Sequence, residues 1–305
     1  VWDAVKELNY TADMVARSMT KNETRQLAVL ANDLSNPYFA EIITGFENAA
    51  IDNNYLVSIC TAQREIENYI RRLIAQRIDG VFIVGMPPLS DEKYHEIIFN
   101  MVEAGIRVLI NGIILKDSKE ISHIFVDHMT GIDKAVSYLK SMGHTHIAMV
   151  STFGRNSNFD IRDRMFFSAM DKYLPDSPKI FVSETGIRNP DMDSSYSLTK
   201  RLLTDHPEVT AVICLNDLMA YGVIQAATYF NKSVPDELSV IGMDDIYISR
   251  NFNPTVTSIG FDKREYGMMA FELLYNHIKK NIVKDIDVRT ELYIRSSTGL
   301  APGLK

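Results

Sequence analysis

The sequence predicts an α/β protein made of two doubly wound lobes, each built on a parallel sheet. Short apolar runs such as 27–31 alternate with helical patterns, which is typical of βα units around a parallel sheet. The alternation restarts after Asp127, so two similar halves follow each other. A chain of 305 residues also fits two domains of about 150 residues each.

The first half predicts four strands separated by helices. A helix is expected to start at Asn36-Pro37, because asparagine caps a helix and proline fits its first turn. The core face of this helix carries Ile43, Phe46, Ala49 and Ala50. The expected strands are 27–31, 55–61, 80–84 and 107–111, and the further helices are 64–76 and 91–104.

The second half begins with a helix after Asp127 and continues with the same alternation. The apolar residues of this helix recur at i, i+3, i+4 and i+7, and the helix is expected to end near Gly143. The further helices are expected at 162–173, 194–206, 217–230 and 264–281. The strands are expected at 147–151, 180–183, 211–215, 238–243, 256–259 and 291–296.

Residues 1–25 have a different pattern. The first eight place Val1, Ala4, Val5 and Leu8 on one helix face, so the chain is expected to begin inside a helix and to be a trimmed piece. Residues 12–19 permit a helix that is too short to be stable alone in water. Residues 20–25 are polar and predict a linker.

Charge and cysteine content restrict the function classes. The net charge of −7 does not favour nucleic-acid binding by charge alone, and no apolar run is long enough to span a membrane. Cys60 and Cys214 lie far apart in apolar runs, which predicts two buried thiols in a reducing compartment, the cytoplasm.

The sequence carries no enzyme signature, so neither catalysis nor a cofactor is expected. The glycines form neither G-x-G-x-x-G nor a P-loop, and there is no G-x-S-x-G or H-E-x-x-H. His144 and His146 are two residues apart and would point to opposite sides of a strand, so no metal site is expected either.

Polar residues follow most of the predicted strands. They are Asn32-Asp33, Asn111, Asp127, Asn216-Asp217 and Asp244-Asp245. Ligands of open α/β sheets bind at the carboxyl ends of the strands, where amides and carboxylates can bind sugar hydroxyls. Each residue alone can instead cap the next helix, and Asn216 and Asp217 suit that role.

Several motifs, in order and spacing, resemble the lac repressor (LacI/GalR) family of bacterial transcription regulators over essentially the whole chain. They are Tyr10-Thr11-Ala12-Asp13 with 15–19, Asn36-Pro37-Tyr38-Phe39, Arg77-Ile78-Asp79-Gly80, Val126-Asp127 with Gly131, Gly143-His144 with Ile147, Asn216-Asp217 with Met219-Ala220 and Gly222, and 234–244. The resemblance implies a two-lobed, type I periplasmic-binding-protein-like domain, preceded by a helix-turn-helix headpiece and a hinge helix. Only the end of that headpiece would be present here.

For DNA, the resemblance implies that the hinge contacts the minor groove through Ala16, Arg17, Ser18 and Met19. Met19 stands where the family places an apolar wedge that kinks the DNA, although it can also be an ordinary apolar linker residue. Ala12-Asp13 replaces the usual Pro-Asn of the family, and an acidic group is unfavourable beside phosphates.

For the effector, the resemblance implies contacts from residues of both lobes. These residues are Phe39, Asn111, Asp127, Asn158, Arg162, Asn216 and Asp244. Arg162 and Asp244 are the strongest candidates, because a guanidinium donates and a carboxylate accepts hydrogen bonds from adjacent hydroxyls. Phe39 can pack on a sugar ring or belong to the lobe core. Met165 replaces a usual glycine and puts the alignment of Arg162 in doubt.

The resemblance also implies domain boundaries and a mechanism. The headpiece remnant and hinge would be 1–25, the first lobe 26–131 with 258–285, the second lobe 132–257 with 286–300, and the tail 301–305. Lobe closure in a homodimer would change the spacing of two hinges on operator DNA, and residues 11–25 are expected to be mobile without DNA. The sequence therefore predicts a carbohydrate-responsive repressor. A purine effector or a phosphoprotein co-regulator stays open, and the alternative function is a solute-binding protein of a transporter.

Overall fold

The computed structural model describes residues 23–61, 66–85, 91–112, 119–152, 161–183 and 191–304. The chain divides into two compact units. Unit 1 contains the described residues of 23–34, 39–125 and 263–286, and unit 2 contains those of 35–38, 126–262 and 287–304. Each unit is therefore assembled from separate stretches of the chain.

The first sheet has six strands in the described residues, in the order β11-β5-β4-β3-β1-β2. Their bounds are β1 Gln26–Leu30, β2 Leu56–Cys60, β3 Gly80–Ile83, β4 Arg107–Asn111, β5 Ile121–Asp127 and β11 Asp285–Arg289. The pairs β1–β2, β1–β3, β3–β4 and β4–β5 are all parallel. All four residues of β3 are buried, as expected for a parallel strand between two layers of helices.

Helices cover both faces of this sheet. They are α1 Pro37–Asp52, α2 Ile66–Ala75, α3 Asp91–Glu103 and α8 Lys263–Lys280. On one face, the Phe46 ring of α1 stacks on Phe82 of β3 at 5.3 Å and meets Phe271 of α8 edge-on at 5.7 Å. On the other face, Ile83 joins one apolar cluster with Ile70 of α2 and Ile98 of α3. Unit 1 is therefore doubly wound.

The second sheet also has six strands in the described part of the chain, in the order β12-β10-β9-β8-β6-β7. Their bounds are β6 Ile147–Ser151, β7 Ile180–Ser183, β8 Ala211–Cys214, β9 Ser239–Asp244, β10 Thr257–Gly260 and β12 Glu291–Tyr293. Its helices are α4 His128–Ser141, α5 Ile161–Tyr173, α6 Met192–Asp205 and α7 Asp217–Tyr229, with a 3-10 turn at Tyr247–Arg250. Within the described residues, β12 is antiparallel to β10, whereas the pairs β6–β7, β6–β8, β8–β9 and β9–β10 are parallel.

The predicted fold class is confirmed, and so are two helix boundaries. Asn36 Oδ1 accepts a hydrogen bond from the Tyr38 amide at 3.0 Å, just where α1 starts at Pro37. Gly143 follows the C-cap Met142 of α4 and has a φ of +89°. Glycine adopts this left-handed conformation at little cost, so it commonly ends a helix.

Strands β5 and β11 were not among the predicted strands, and β12 is shorter than the strand predicted at 291–296. Residues of β11 alternate between exposed and half-buried, and those of β12 do the same. Such strands lack a continuous apolar run, so their place in the sheet depends on neighbours distant in the sequence. The strand predicted at 291–296 is correspondingly reduced to three residues.

Both cysteines are free and buried, as predicted. Burial raises the pKa of the Cys60 thiol to about 11 and that of Cys214 well above its usual value. Among the helices that the structure describes, none is long and apolar enough to cross a bilayer.

Candidate functional site

Five predicted contact residues lie outside the described residues. They are Ala16, Arg17, Ser18 and Met19 of the hinge and Asn158 of the effector set. Six effector candidates remain among the described residues, and four of them belong to unit 2 and two to unit 1.

Three candidates of unit 2 lie at the carboxyl ends of two neighbouring strands. Asn216 follows β8 and caps α7, its Oδ1 accepting from the Met219 amide at 2.8 Å. Arg162, in the first turn of α5, donates from Nη1 to the Leu215 carbonyl at 3.2 Å. Asp244 ends β9, which pairs with β8. The structure thus places Arg162, Asn216 and Asp244 at one edge of the second sheet.

Close backbone packing shapes this edge. Asp244 has a φ of +105°, an unusual conformation for a residue other than glycine. A Cβ atom at Gly260, on the adjacent β10, would lie 3.1 Å from the Asp244 carbonyl oxygen and would collide with the Asp245 side chain. Glycine at position 260 therefore allows β9 to turn sharply at Asp244.

Asp127 ends β5, in the first sheet, and caps α4. Its carboxylate accepts hydrogen bonds from the Thr130 amide at 3.1 Å and the Thr130 hydroxyl at 2.5 Å. Its own carbonyl accepts from the Thr290 hydroxyl at 2.7 Å. Burial alone would raise the pKa of Asp127, but the hydrogen bonds from Thr130 hold it below its usual value. Asp127 is therefore an ionised helix cap.

Phe39 and Asn111 are the two candidates of unit 1. Asn111 ends β4 and is held from both sides: its Nδ2 donates to the Val84 carbonyl at 3.0 Å, and the Tyr266 hydroxyl donates to its Oδ1 at 2.7 Å. Phe39 is half-buried, and a Cβ atom at Gly85 would come within 3.1 Å of its ring. Gly85 follows β3, so Phe39 also lies near the carboxyl edge of the first sheet.

Met165 lies on the core side of α5. Its side chain is partly buried and packs against the apolar core of unit 2, while Arg162 still reaches Leu215. The side chain that replaces glycine therefore adds to the core of α5.

Asp217 has a role that sequence reasoning missed. Asp217 was predicted to suit helix capping together with Asn216, but Asn216 is the cap of α7. The buried Asp217 carboxylate instead accepts from the Ile246 amide at 2.8 Å, the Ser249 hydroxyl at 2.6 Å and the Ser258 hydroxyl at 2.6 Å. Burial raises the pKa of Asp217 to about 7, against the lowering effect of these hydrogen bonds. Asp217 therefore holds the 3-10 turn against the sheet.

Asp245 also differs from the prediction that it would offer a ligand-binding carboxylate. It is 1% exposed, and its two oxygens accept from Arg250 Nη2 at 2.8 Å and Arg295 Nη2 at 2.5 Å. Its amide donates to the Ser258 hydroxyl at 3.0 Å. No local pattern signals this network, because Arg295 is fifty positions away in the sequence. Of the Asp244-Asp245 pair, Asp245 is thus an internal ion-pair partner.

His144 is a buried structural residue. His144 is buried, with Nε2 3.1 Å from the Gly299 carbonyl and Nδ1 2.9 Å from the Thr210 hydroxyl. A carbonyl can only accept, so Nε2 carries the proton and Nδ1 accepts from Thr210. Within the described ranges, no group of three or more His, Cys, Asp or Glu side chains is placed to hold a metal ion.

A family model and several known proteins are similar to this chain. Residues 136–298 match the model described as a periplasmic binding protein-like domain. The "HTH-type transcriptional repressor PurR" of Photorhabdus laumondii is 31% identical over 312 residues, which covers 97% of this chain and 86% of that protein. The protein of the same name from Proteus mirabilis is 30% identical over 316 residues and covers 99% of this chain and 88% of its own length.

Solved structures resemble the described fold as well. A LacI family transcriptional regulator from Enterococcus faecium, with bound ribose, has a TM-score of 0.78 at 25% identity and covers 90% of this chain and 99% of its own. The transcriptional regulator CelR, in complex with cellobiose, has a TM-score of 0.76 at 21% identity, covering 97% of this chain and 88% of its own. At that identity the second likeness concerns the fold alone.

Proposed function

Because the chain belongs to the lac repressor (LacI/GalR) family of transcriptional regulators, we propose that it senses a small carbohydrate and adjusts its binding to operator DNA accordingly. It is a ligand-responsive regulator of transcription. The relatives that cover nearly all of the chain are repressors, so the alternative of a solute-binding protein in a transporter is not supported. Those relatives are regulators and not enzymes.

The observation that carries the carbohydrate proposal is the edge formed by Arg162, Asn216 and Asp244. Arg162 is held at Leu215 by one hydrogen bond, and Asp244 ends the neighbouring strand. Guanidinium donors beside amide and carboxylate acceptors match vicinal hydroxyls, which both donate and accept. The Enterococcus faecium regulator, with its bound ribose, supports the same class of effector.

The other predicted effector residues have supporting roles in this proposal. Asn111 presents an amide whose orientation is set by Val84 and Tyr266. Phe39 supplies an aromatic ring for the apolar face of a sugar. Asp127 and Asn158 complete the set, Asp127 as a carboxylate already fixed by Thr130.

We propose a homodimer, because unit 1 presents an apolar sheet edge. The edge strand β2 exposes Leu56 by 64% and Ile59 by 42%, and Ile51 near the end of α1 is 61% exposed. An edge strand with apolar side chains is a surface that proteins normally cover. A second copy presents the same edge, so a two-fold interface covers both at once.

Operator DNA is the second partner in this proposal. The hinge residues Ala16, Arg17, Ser18 and Met19 would approach the minor groove, with Met19 as the wedge. Transcription takes place where the bacterial chromosome lies, so the cytoplasm is part of the same proposal.

A thermal-shift screen tests the effector class. Ribose, lactose, cellobiose and sucrose would be compared with adenine, guanine and hypoxanthine, and a sugar is expected to raise the melting temperature with concentration. Asp244→Ala should lose the shift, whereas Asp205→Ala, at the exposed end of α6, should keep it. A shift with a nucleobase and with no sugar would reject the carbohydrate class.

A further inference from the structure

Asp79 belongs to the Arg77-Ile78-Asp79-Gly80 motif, which the effector site does not use, and its carboxylate binds the first described residues of unit 1. Asp79 Oδ1 accepts from the Thr24 amide at 2.8 Å and the Thr24 hydroxyl at 2.9 Å. Asp79 Oδ2 accepts from the Arg25 amide at 2.8 Å. One side chain thus holds two consecutive backbone amides of the segment that leads from residues 1–22 into the lobe.

The Asp79 backbone is itself fixed in the sheet. Its amide donates to the Gln26 carbonyl at 2.9 Å, and its carbonyl accepts from the Arg107 amide at 3.1 Å. Gln26 starts β1 and Arg107 starts β4, the strands on either side of β3. The Asp79 backbone is therefore fixed at the amino end of β3, between the neighbouring strands β1 and β4.

A second set of contacts holds the preceding residue. The Tyr55 hydroxyl donates to Glu23 Oε1 at 3.0 Å, Lys279 pairs with the same oxygen, and Arg25 Nε lies 3.6 Å from it. Burial alone would raise the pKa of Glu23, but Lys279 and Tyr55 hold it below its usual value. Glu23 is therefore attached to the start of β2 and to the last turn of α8.

Residues 23–25 form the end of the predicted polar linker 20–25, and the mobility expected for 11–25 without DNA stays a prediction. Residues 23–25 are hydrogen-bonded to β2, β3 and α8. The attachment lies at the amino ends of the strands. Phe39 and Asn111 lie near the carboxyl ends of β3 and β4, at the opposite end of the strands.

We propose that the Asp79 anchor, defined as Asp79 with Thr24 and Arg25, is the link through which unit 1 passes effector binding to the DNA-contacting residues before Glu23. The inference rests on the proposed function of a carbohydrate-responsive regulator. When a rigid sheet moves at the carboxyl ends of its strands, the amino ends of the same strands move with it. Two amides bonded to one carboxylate restrict the rotation of the attached backbone, so the segment follows the sheet. Asp79 is thus a positioning residue that touches neither effector nor DNA.

The test separates coupling from binding in the complete protein. A duplex selected by the wild type from random DNA is titrated with and without saturating sugar from the panel of ribose, lactose, cellobiose and sucrose. Effector coupling is typically at least about fivefold in affinity. Asp79→Asn replaces one acceptor oxygen by a donor that faces the Thr24 or Arg25 amide. We expect the sugar to change the DNA affinity of this variant by less than about twofold, while the thermal shift caused by the sugar is retained.

Hydrogen exchange reports the anchor directly. In Asp79→Asn the amides of Thr24 and Arg25 should exchange roughly ten- to hundredfold faster, as expected for losing hydrogen bonds to a charged group. Thr24→Val removes only the hydroxyl donor and should give a smaller effect on both measurements. If Asp79→Asn fails to fold, Thr24→Val tests the same inference. Asp52→Asn, an exposed aspartate at the end of α1, is the matched control and should behave as wild type.

Two negative outcomes are distinct. If the two amides exchange fast in Asp79→Asn but the sugar still changes DNA affinity as in the wild type, the anchor does not carry the signal and the inference is overturned. If the wild type itself responds to no sugar in the panel, the proposed function fails, and the inference that rests on it is overturned as well.

Discussion

The guanidinium of Arg162 donates to the backbone carbonyl of Leu215 across 3.2 Å, joining the first turn of α5 to the end of β8. The contact uses one of the five guanidinium N–H groups. Because Leu215 directly precedes Asn216, the same contact places the arginine beside the cap of α7. It orders the edge at which we propose that a sugar binds.

Arg162→Met should weaken sugar binding by at least about tenfold, because it removes charge-assisted donors that methionine cannot replace. The side chain is only half-buried, so the melting temperature without sugar should change little. Isothermal titration with the sugar identified by the screen measures the loss. Arg164→Met, an exposed arginine on the same helix, serves as the control. Equal affinity in Arg162→Met and wild type would remove Arg162 from the site.

Asp217 should make the unfolding free energy depend on pH. Its pKa is about 7 in the folded protein against a usual 3.8. Between these values the folded state binds more protons than the unfolded state, so this group's contribution to stability decreases as the pH rises from about 4 to about 7. The slope reaches at most about 1.4 kcal/mol per pH unit.

Urea unfolding of wild type and Asp217→Asn across this pH range checks the prediction. The difference between the two unfolding free energies should shift in favour of the variant as the pH rises, because asparagine carries no charge to bury. Asp205→Asn, at an exposed position, should run parallel to the wild type. Parallel curves for Asp217→Asn would mean that the carboxylate does not titrate in this range.

Gly267→Ala should destabilise unit 1. A Cβ atom at Gly267 would collide with the Ile42 carbonyl oxygen and would lie 2.7 Å from the Phe46 amide nitrogen, both on the backbone of α1. Backbone cannot move aside as a flexible side chain can, so we expect a loss of about 1–3 kcal/mol in unfolding free energy. Denaturant unfolding measures it. Glu272→Ala, on the exposed side of the same helix, should change stability by less than about 0.5 kcal/mol.

Leu56→Lys and Ile59→Lys should convert the proposed homodimer to a monomer. Each places a charge on the exposed apolar edge of β2, and in a two-fold interface each substitution occurs twice. Sedimentation velocity measures the change in mass. Met268→Lys, also exposed and apolar and in unit 1, tests whether any surface lysine has this effect. A dimer that survives both β2 substitutions would place the interface elsewhere.

The alternation of strands and helices was predictable because it is written in local periodicity. Fully buried strands such as β3 and β8 stand out as apolar runs, whereas β11 does not, since three of its five residues are exposed. The cap at Asn36 and the stop at Gly143 were predictable for the same reason, because capping depends on the immediate neighbours.

Local sequence patterns predicted the fold class, the order of most elements, the family resemblance and which polar residues end the strands. What each of those polar residues does depends on the tertiary structure. Asn216 caps a helix while the adjacent Asp217 is buried among Ser249 and Ser258, and Asp79 holds an amide 55 positions away. The physical reason is that a side chain's hydrogen-bond partners come from strands and turns brought together by the packed sheet. Local periodicity carries no record of such distant partners.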